Sequence, residues 1–140
     1  MIFRTSYILG GAGFGHWGEV LTVAAQHRGL NGLLIDGGVR DAAELEALRF
    51  SVFSRNNSIL GTRKDFRGVF ERPVTIGGVT IRTGDLIVGD VDGVVALPAT
   101  DIDRILDRAD ARVAHEKQIM SQLLNGATTL ELYNFGAAGQ

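Results

Sequence analysis

Gly32-Leu33-Leu34-Ile35-Asp36-Gly37-Gly38-Val39-Arg40-Asp41 is the stretch on which the fold turns. Four apolar residues in a row, with no polar alternation, describe a short strand buried on both faces, as strands of parallel sheets are. The run stops at Asp36, and two glycines turn the chain before an adjacent Arg-Asp pair. Asp41 with Glu44 three residues on reads as a capping box opening a short helix over 42–48. Upstream, 2–9 is β-branched and aromatic enough for a strand, 10–15 is a glycine loop, and 17–28 is a helix that Gly29 stops. Downstream, 51–54 reads as another strand. The first half is therefore β-loop-α-β-loop-α-β, and right-handed crossovers bring its two glycine loops to the same edge of a parallel sheet.

The second half changes character. Alternating runs over 72–76 and 79–82 are joined by Gly77-Gly78, a two-residue hairpin signal. Strands over 86–88 and 94–97 flank the turn Asp90-Val91-Asp92-Gly93. Thr100 then caps a long helix, 101–125, closed by Gly126. There is no internal repeat and no linker, so the expectation is a single α/β domain over 1–140: a short parallel βαβ half, then β-hairpins and a long C-terminal helix.

Composition narrows the function classes. In 140 residues, fourteen basic and sixteen acidic side chains give a net charge of −2 with no basic run, so a phosphate-backbone footprint is absent and nucleic acid is not an expected partner. No cysteine means no disulfide framework and no thiolate metal site. No apolar run approaches the ~18 residues that span a bilayer, and the N-terminus lacks a signal-peptide pattern, so no membrane partner and a cytoplasmic location are expected.

Four features could carry chemistry. Gly13-Phe14-Gly15-His16-Trp17-Gly18 fits G-x-G-x-x-G, and Asp36 stands where a ribose-binding acid would, which is the signature of a dinucleotide-binding fragment. Against that, hairpins follow after only two crossovers, and a ribose contact has no use for an Arg-Asp pair. The same loop also offers the first N–H groups of the following helix to an anion such as a carboxylate. In the second loop Arg40 and Asp41 bring a fork of N–H donors and a hard oxygen ligand into one small volume. A plain structural reading stands beside it: Asp41 as N-cap, Arg40 paired with Glu44 in solvent. Glu19 lies in the first turn of the preceding helix, where the macrodipole favours a carboxylate. If the loops are neighbours, Glu19, Arg40 and Asp41 share one cleft. Finally, Glu116 interrupts the stripe Ile102, Leu106, Ala109, Val113, Met120, Leu123 of the long helix. It lies either at a solvated margin or at a cleft with a neighbouring subunit.

With Trp17-Gly18-Glu19, Asp36 to Asp41, Gly61-Thr62, Gly77-Gly78-Val79 and Gly84-Asp85 through Asp92-Gly93-Val94-Val95 in view, the chain resembles the RraA-like family. That family joins 4-hydroxy-4-methyl-2-oxoglutarate aldolases to the regulator of ribonuclease activity A. The resemblance runs from about Gly15 to about Gly126, and Glu19, Arg40 and Asp41 match the aldolase spacing of an acid, twenty residues, then Arg-Asp. It implies a swivelling β/β/α-type fold and a metal-dependent pyruvate aldolase, with oxaloacetate decarboxylation as a related activity. On that reading Asp41 holds Mg²⁺ or Mn²⁺ and Glu19 hydrogen-bonds the waters of the ion. Arg40 faces the keto oxygen of the 2-oxo acid substrate, and the backbone around Gly15, His16, Trp17 and Gly18 takes the substrate carboxylate. Glu116 resembles the carboxylate that an adjacent protomer supplies in a homotrimer or a pair of trimers with the site at the subunit interface. A non-catalytic, protein-binding regulator of ribonuclease activity is the alternative the same resemblance carries. The N-terminal region of relatives has only 1–14 in its place, so a shortened form or an upstream start is expected.

Overall fold

A computed structural model describes residues 13–63 and 71–135. The strand read over 2–9 lies outside the described residues. The elements, in order, are β1 (Gly15–Trp17), α1 (Glu19–His27), β2 (Gly32–Leu34), β3 (Gly38–Val39), α2 (Ala42–Ala47), β4 (Ser51–Phe53) and β5 (Asn56–Asn57). They are followed by β6 (Val74–Ile76), β7 (Val79–Ile81), β8 (Leu86–Gly89), β9 (Val94–Leu97), α3 (Ile102–Leu124) and α4 (Thr129–Leu132). The chain divides into two compact units, 1–100 and 101–140.

In the first unit the buried apolar run behaves as its sequence dictates. Successive side chains of a strand point to opposite faces. Leu33 and Ile35 accordingly join one core cluster with Trp17, Ala25, Val39, Leu45 and Phe50, while Leu34 joins a second with Val74, Ile81 and Ile87. β2 thus welds the parallel half to the hairpins, and each such buried aliphatic side chain contributes about 1.5–3 kcal/mol.

The parallel strands form two sheets where the sequence reading expects one. β2 pairs with β4, and a separate sheet runs in the order β1-β3-β5. The chain crosses from the first sheet to the second twice, at Ile35–Gly37 and at Ser54–Arg55. Each crossing is pinned by backbone bonds, Ile35 N–H to Phe53 O at 2.9 Å and Arg55 N–H to Gly37 O at 3.0 Å. Glycine and polar residues at these points end one sheet, and the chain resumes in the other.

Three further expectations are corrected. Residues 15–17 are strand, with Gly15 opposite Gly38 and Trp17 opposite Val39, so helix α1 starts at Glu19. The G-x-G-x-x-G stretch is therefore no phosphate-binding turn, because its second glycine is locked in a sheet. The Asp41–Glu44 capping box does not form: Asp41 occupies the N-cap of α2 in the left-handed region (φ 57°) and makes no side-chain cap bond there. The N-cap of α3 is Asp101 rather than Thr100, and its side chain makes no cap bond either.

The hairpins follow their sequence signals. Gly77 and Gly78 take φ of 57° and 82°, the pair of positive values that a two-residue turn between β6 and β7 needs. Asp85, buried, clips the second hairpin to the first by accepting from Arg82 N–H at 2.8 Å and Ala99 N–H at 3.2 Å. In the second unit α3 is followed by α4, whose start is a complete capping box: Thr128 with Glu131.

Candidate functional site

The two glycine loops meet through one carboxylate. Helix α1 has Gly18 at its N-cap, with no side chain to satisfy the first free N–H groups. Asp41 supplies the missing acceptor: its Oδ2 takes a 3.0 Å hydrogen bond from Glu19 N–H, across 22 residues of sequence. The same oxygen lies 3.7 Å from Arg40 Nε. Because Asp41 adopts a left-handed backbone, which Asp tolerates better than most residues, its side chain is turned away from its own helix and toward α1. Arg40 pairs with Asp41 here, not with Glu44, and the Asp41 carboxylate caps α1 in place of its own helix.

Close backbone approach makes room for this arrangement. A Cβ on Gly18 would fall 2.3 Å from Asp41 Oδ2 and 3.0 Å from Arg40 Cγ. One on Gly15 would fall 2.2 Å from the Ser58 carbonyl and 3.1 Å from Arg40 Cβ. Arg40 N–H donates to Trp17 O at 2.8 Å, fixing the guanidinium's stem to β1 independently of its head. After β5 the chain returns to β1: Gly15 N–H donates to Leu60 O at 2.7 Å, and Gly15 bridges Gly61 in parallel register. Ser58 fastens that return, its hydroxyl donating to Gly13 O at 2.7 Å. Arg40 and Asp41 side chains remain 44% and 39% exposed, open enough to meet a ligand.

A second ion pair stands just before the site. Asp36 is bonded to Arg55 Nε where the chain makes its two crossings between sheets. The hydrogen bond from Arg55 holds the Asp36 carboxyl below its ordinary value, and Asp36 in turn raises Arg55. A carboxylate so engaged is no ribose ligand. Because its folded pKa is lowered, the pair's contribution to stability is present above the ordinary carboxylate pKa of 3.8 and is lost as pH falls below that through the folded value. Urea midpoints measured on acidification should therefore fall more steeply for the native chain than for Arg55→Gln. Parallel slopes would show that the pair contributes nothing.

The remaining site residues named from sequence are distributed as follows. Glu19 opens α1 beside Asp41. Gly15 spends its N–H on Leu60, and Glu19 N–H is taken by Asp41, so these two backbone donors are occupied within the chain. His16 is half-buried, its ring edge-on to Phe14 at 6.4 Å. The Trp17 ring belongs to the core: it is 7% exposed, stacks on Phe50 and donates from Nε1 to the buried Thr22 hydroxyl at 2.7 Å. Thr22 passes that bond on to Gly18 O at 3.1 Å, bracing the N-cap under Arg40 and Asp41. Glu116 lies on α3 in the second unit and accepts from Arg112 Nε at 2.8 Å, which raises the Arg112 pKa. Arg55, Ser58 and Thr22 escape sequence reading, because nothing in their local pattern marks the partner each finds in the fold.

The donor set bears on what ion could bind. Among the described residues no group of three or more His, Cys, Asp or Glu side chains is arranged as a metal cage. Asp41 offers hard oxygen from one carboxylate, one of whose oxygens already accepts from Glu19 N–H. That fits a cation such as Mg²⁺ or Mn²⁺ that keeps most of its water shell, and it does not fit the closed tetrahedral set that structural zinc requires. Among the described residues no helix is long and apolar enough to cross a membrane.

Solved structures carry the same fold. The chain superposes with a TM-score of 0.81 on an uncharacterized protein from Pseudomonas syringae, at 29% identity over 94% of this chain and 62% of that one. It matches Streptomyces coelicolor RraAS2, described as an unusual member of the RNase ES inhibitor RraA protein family, with a TM-score of 0.75 at 27% identity over 84% and 61%. These likenesses define a mixed α/β protein of the RraA-like class. The family model for RraA-like proteins, Aldolase/RraA, matches residues 8–96, and the chain belongs to that family. Among curated relatives, a Halalkalibacterium halodurans protein provisionally named a 4-hydroxy-4-methyl-2-oxoglutarate aldolase is 36% identical over 71% of this chain and 48% of its own length. The uncharacterized protein MJ0644 of Methanocaldococcus jannaschii is 31% identical over 84% of this chain and 57% of its own. The chain thus spans about half the length of the curated relatives it matches.

Proposed function

We propose that the chain is a divalent-cation-assisted carbon–carbon lyase that releases pyruvate from 4-hydroxy-4-methyl-2-oxoglutarate or a related 2-oxo-4-hydroxy acid. The observation that carries this reading is the Asp41 carboxylate bonded to Glu19 N–H with Arg40 Nε beside it. It brings one acid and one guanidinium together on a half-exposed surface at the N-terminus of the helix that Glu19 opens. Asp41 would hold the cation through its carboxylate, and Glu19 would receive hydrogen bonds from the ion's waters. When bound, the cation polarises the 2-oxo group and lowers the cost of charge building there. In the cleavage the C4 hydroxyl gives its proton to a water acting as base, C4 becomes the carbonyl of the departing fragment as the C3–C4 bond breaks, and that bond's electron pair passes into the C2–C3 enolate. Arg40 faces the enolate oxygen with preformed N–H donors, and protonation at C3 completes pyruvate. Loss of carbon dioxide from oxaloacetate leaves the same enolate, so decarboxylation belongs to the same reading. A homotrimer or pair of trimers, with Glu116 supplied by a neighbouring copy, completes the proposal.

Pyruvate release from 4-hydroxy-4-methyl-2-oxoglutarate should stop with a chelator and return with added Mg²⁺ or Mn²⁺. A folded chain that releases no pyruvate with either ion present sinks the lyase. The likeness to RraAS2 favours a second reading, a protein-binding regulator of ribonuclease activity. Such a regulator would bind its ribonuclease partner equally well after Arg40→Ala and without metal.

A further inference from the structure

The peptide unit between Gly18 and Glu19 is bonded at both ends. Its N–H donates to Asp41 Oδ2 at 3.0 Å, and its carbonyl accepts twice from Thr22, from the backbone N–H and from the hydroxyl, each at 3.1 Å. An α-helix makes the first of these carbonyl bonds anywhere along its length; the second exists because residue 22 carries a hydroxyl. That hydroxyl is wholly buried, and it accepts from Trp17 Nε1 at 2.7 Å while donating to Gly18 O. An unbroken series of bonds therefore runs from the core indole, through the hydroxyl and the peptide, to the carboxylate beside Arg40.

Bonds in series polarise one another: a carbonyl that accepts a second proton draws electrons from its own amide and makes that N–H a stronger donor. Position is transmitted as well as polarity. A Cβ on Gly18 would fall 2.3 Å from Asp41 Oδ2, so the carboxylate lies directly against this peptide and a tilt of the peptide moves it. We infer that Thr22 is a positioning residue for Asp41. Its hydroxyl, oriented by the Trp17 indole, holds the Gly18–Glu19 peptide so that the N–H fixes the Asp41 carboxylate where it receives a divalent cation. This rests on the lyase reading above and adds to it the buried support on which the cation ligand depends.

Two measurements on the full chain test it: hydrogen exchange of the Glu19 amide by nuclear magnetic resonance without added metal, and Mn²⁺ affinity from the free-ion signal in electron paramagnetic resonance. Thr22→Val keeps the shape and removes the hydroxyl. It should speed Glu19 exchange by about threefold or more relative to the amides of β2, a local loosening and not a global one. It should also weaken Mn²⁺ by about three- to tenfold, less than loss of a group bonded directly to a metal ligand, since one peptide intervenes. Thr22→Ser restores the hydroxyl and should return both readings to within about twofold of the native chain. Unchanged Mn²⁺ affinity in Thr22→Val, an equal loss in Thr22→Ser, or weaker Mn²⁺ with unchanged Glu19 exchange overturns the inference. Should Thr22→Val fail to fold by circular dichroism, Trp17→Phe decides: it keeps the hydroxyl, removes the group that orients it, and should weaken Mn²⁺ by about twofold or more, with no change counting against Thr22. A native chain that binds no Mn²⁺ removes the lyase reading and this inference with it. A native chain that binds the ion, with a Thr22→Val variant that binds it equally well, removes the role of Thr22 alone.

Discussion

Arg40→Ala is expected to slow pyruvate release by about 10²–10³-fold, the loss that follows removal of one preorganised donor to a developing oxyanion. The expectation follows from where the side chain stops and the backbone begins. The stem is fixed by Arg40 N–H on Trp17 O, a bond that alanine keeps, so the pairing of β1 with β3 survives the substitution. What is lost is the guanidinium that stands 3.7 Å from Asp41 Oδ2 and faces Gly61. Arg40→Lys should recover only part of the rate, because an ammonium offers a point charge in place of a planar fork. Steady-state rates with Mg²⁺ present, alongside thermal melts, separate the outcomes. An unchanged rate, or a lower rate matched by global unfolding, would remove Arg40 from the chemistry.

Trp17→Ala should be the most destabilising change near the site, costing about 3–5 kcal/mol, as truncation of a buried large aromatic does. The residue is buried in the cluster with Leu33, Ile35 and Phe50, lies flat on the Phe50 ring at an interplanar angle of 4°, and donates to Thr22. Its removal opens a cavity and takes from the buried Thr22 hydroxyl its donor. Trp17→Phe should cost less, since a ring remains for Phe50, although Thr22 still loses the indole donor and keeps only its bond to Gly18 O. Urea unfolding followed by far-ultraviolet circular dichroism measures both. A midpoint for Trp17→Ala equal to that of the native chain would mean the ring is not the core element described here.

These two residues also show how much the sequence discloses. Local rules suffice where a signal and its consequence lie within a few residues. Gly77-Gly78 implies the β6–β7 hairpin, and the run from Gly32 to Ile35 implies a strand covered on both faces. They fail where a long-range bond outbids a local one. Asp41 followed by Glu44 spells a capping box, but the carboxylate goes to Glu19 N–H, since Gly18 offers α1 no side-chain cap of its own. Trp17 sits in a glycine-rich stretch that looks like a ligand loop, yet its area commits it to the core and draws 15–17 into a strand. Arg55 carries no local signal, because the need for it arises only when two strand crossings come side by side at Asp36.

The parallel sheet that carries Arg40 has a kinetic corollary. β6–β7 closes over two residues, whereas Gly15 must find Gly38, Gly38 must find Asn56, and the Glu19–Asp41 bond must span 22 residues. Closing long loops forfeits more chain entropy than closing short ones, and contacts distant in sequence form slowly. The hairpins are therefore expected to close first, and the surface of Arg40 and Asp41 to be completed only after both helical excursions have returned to the sheet.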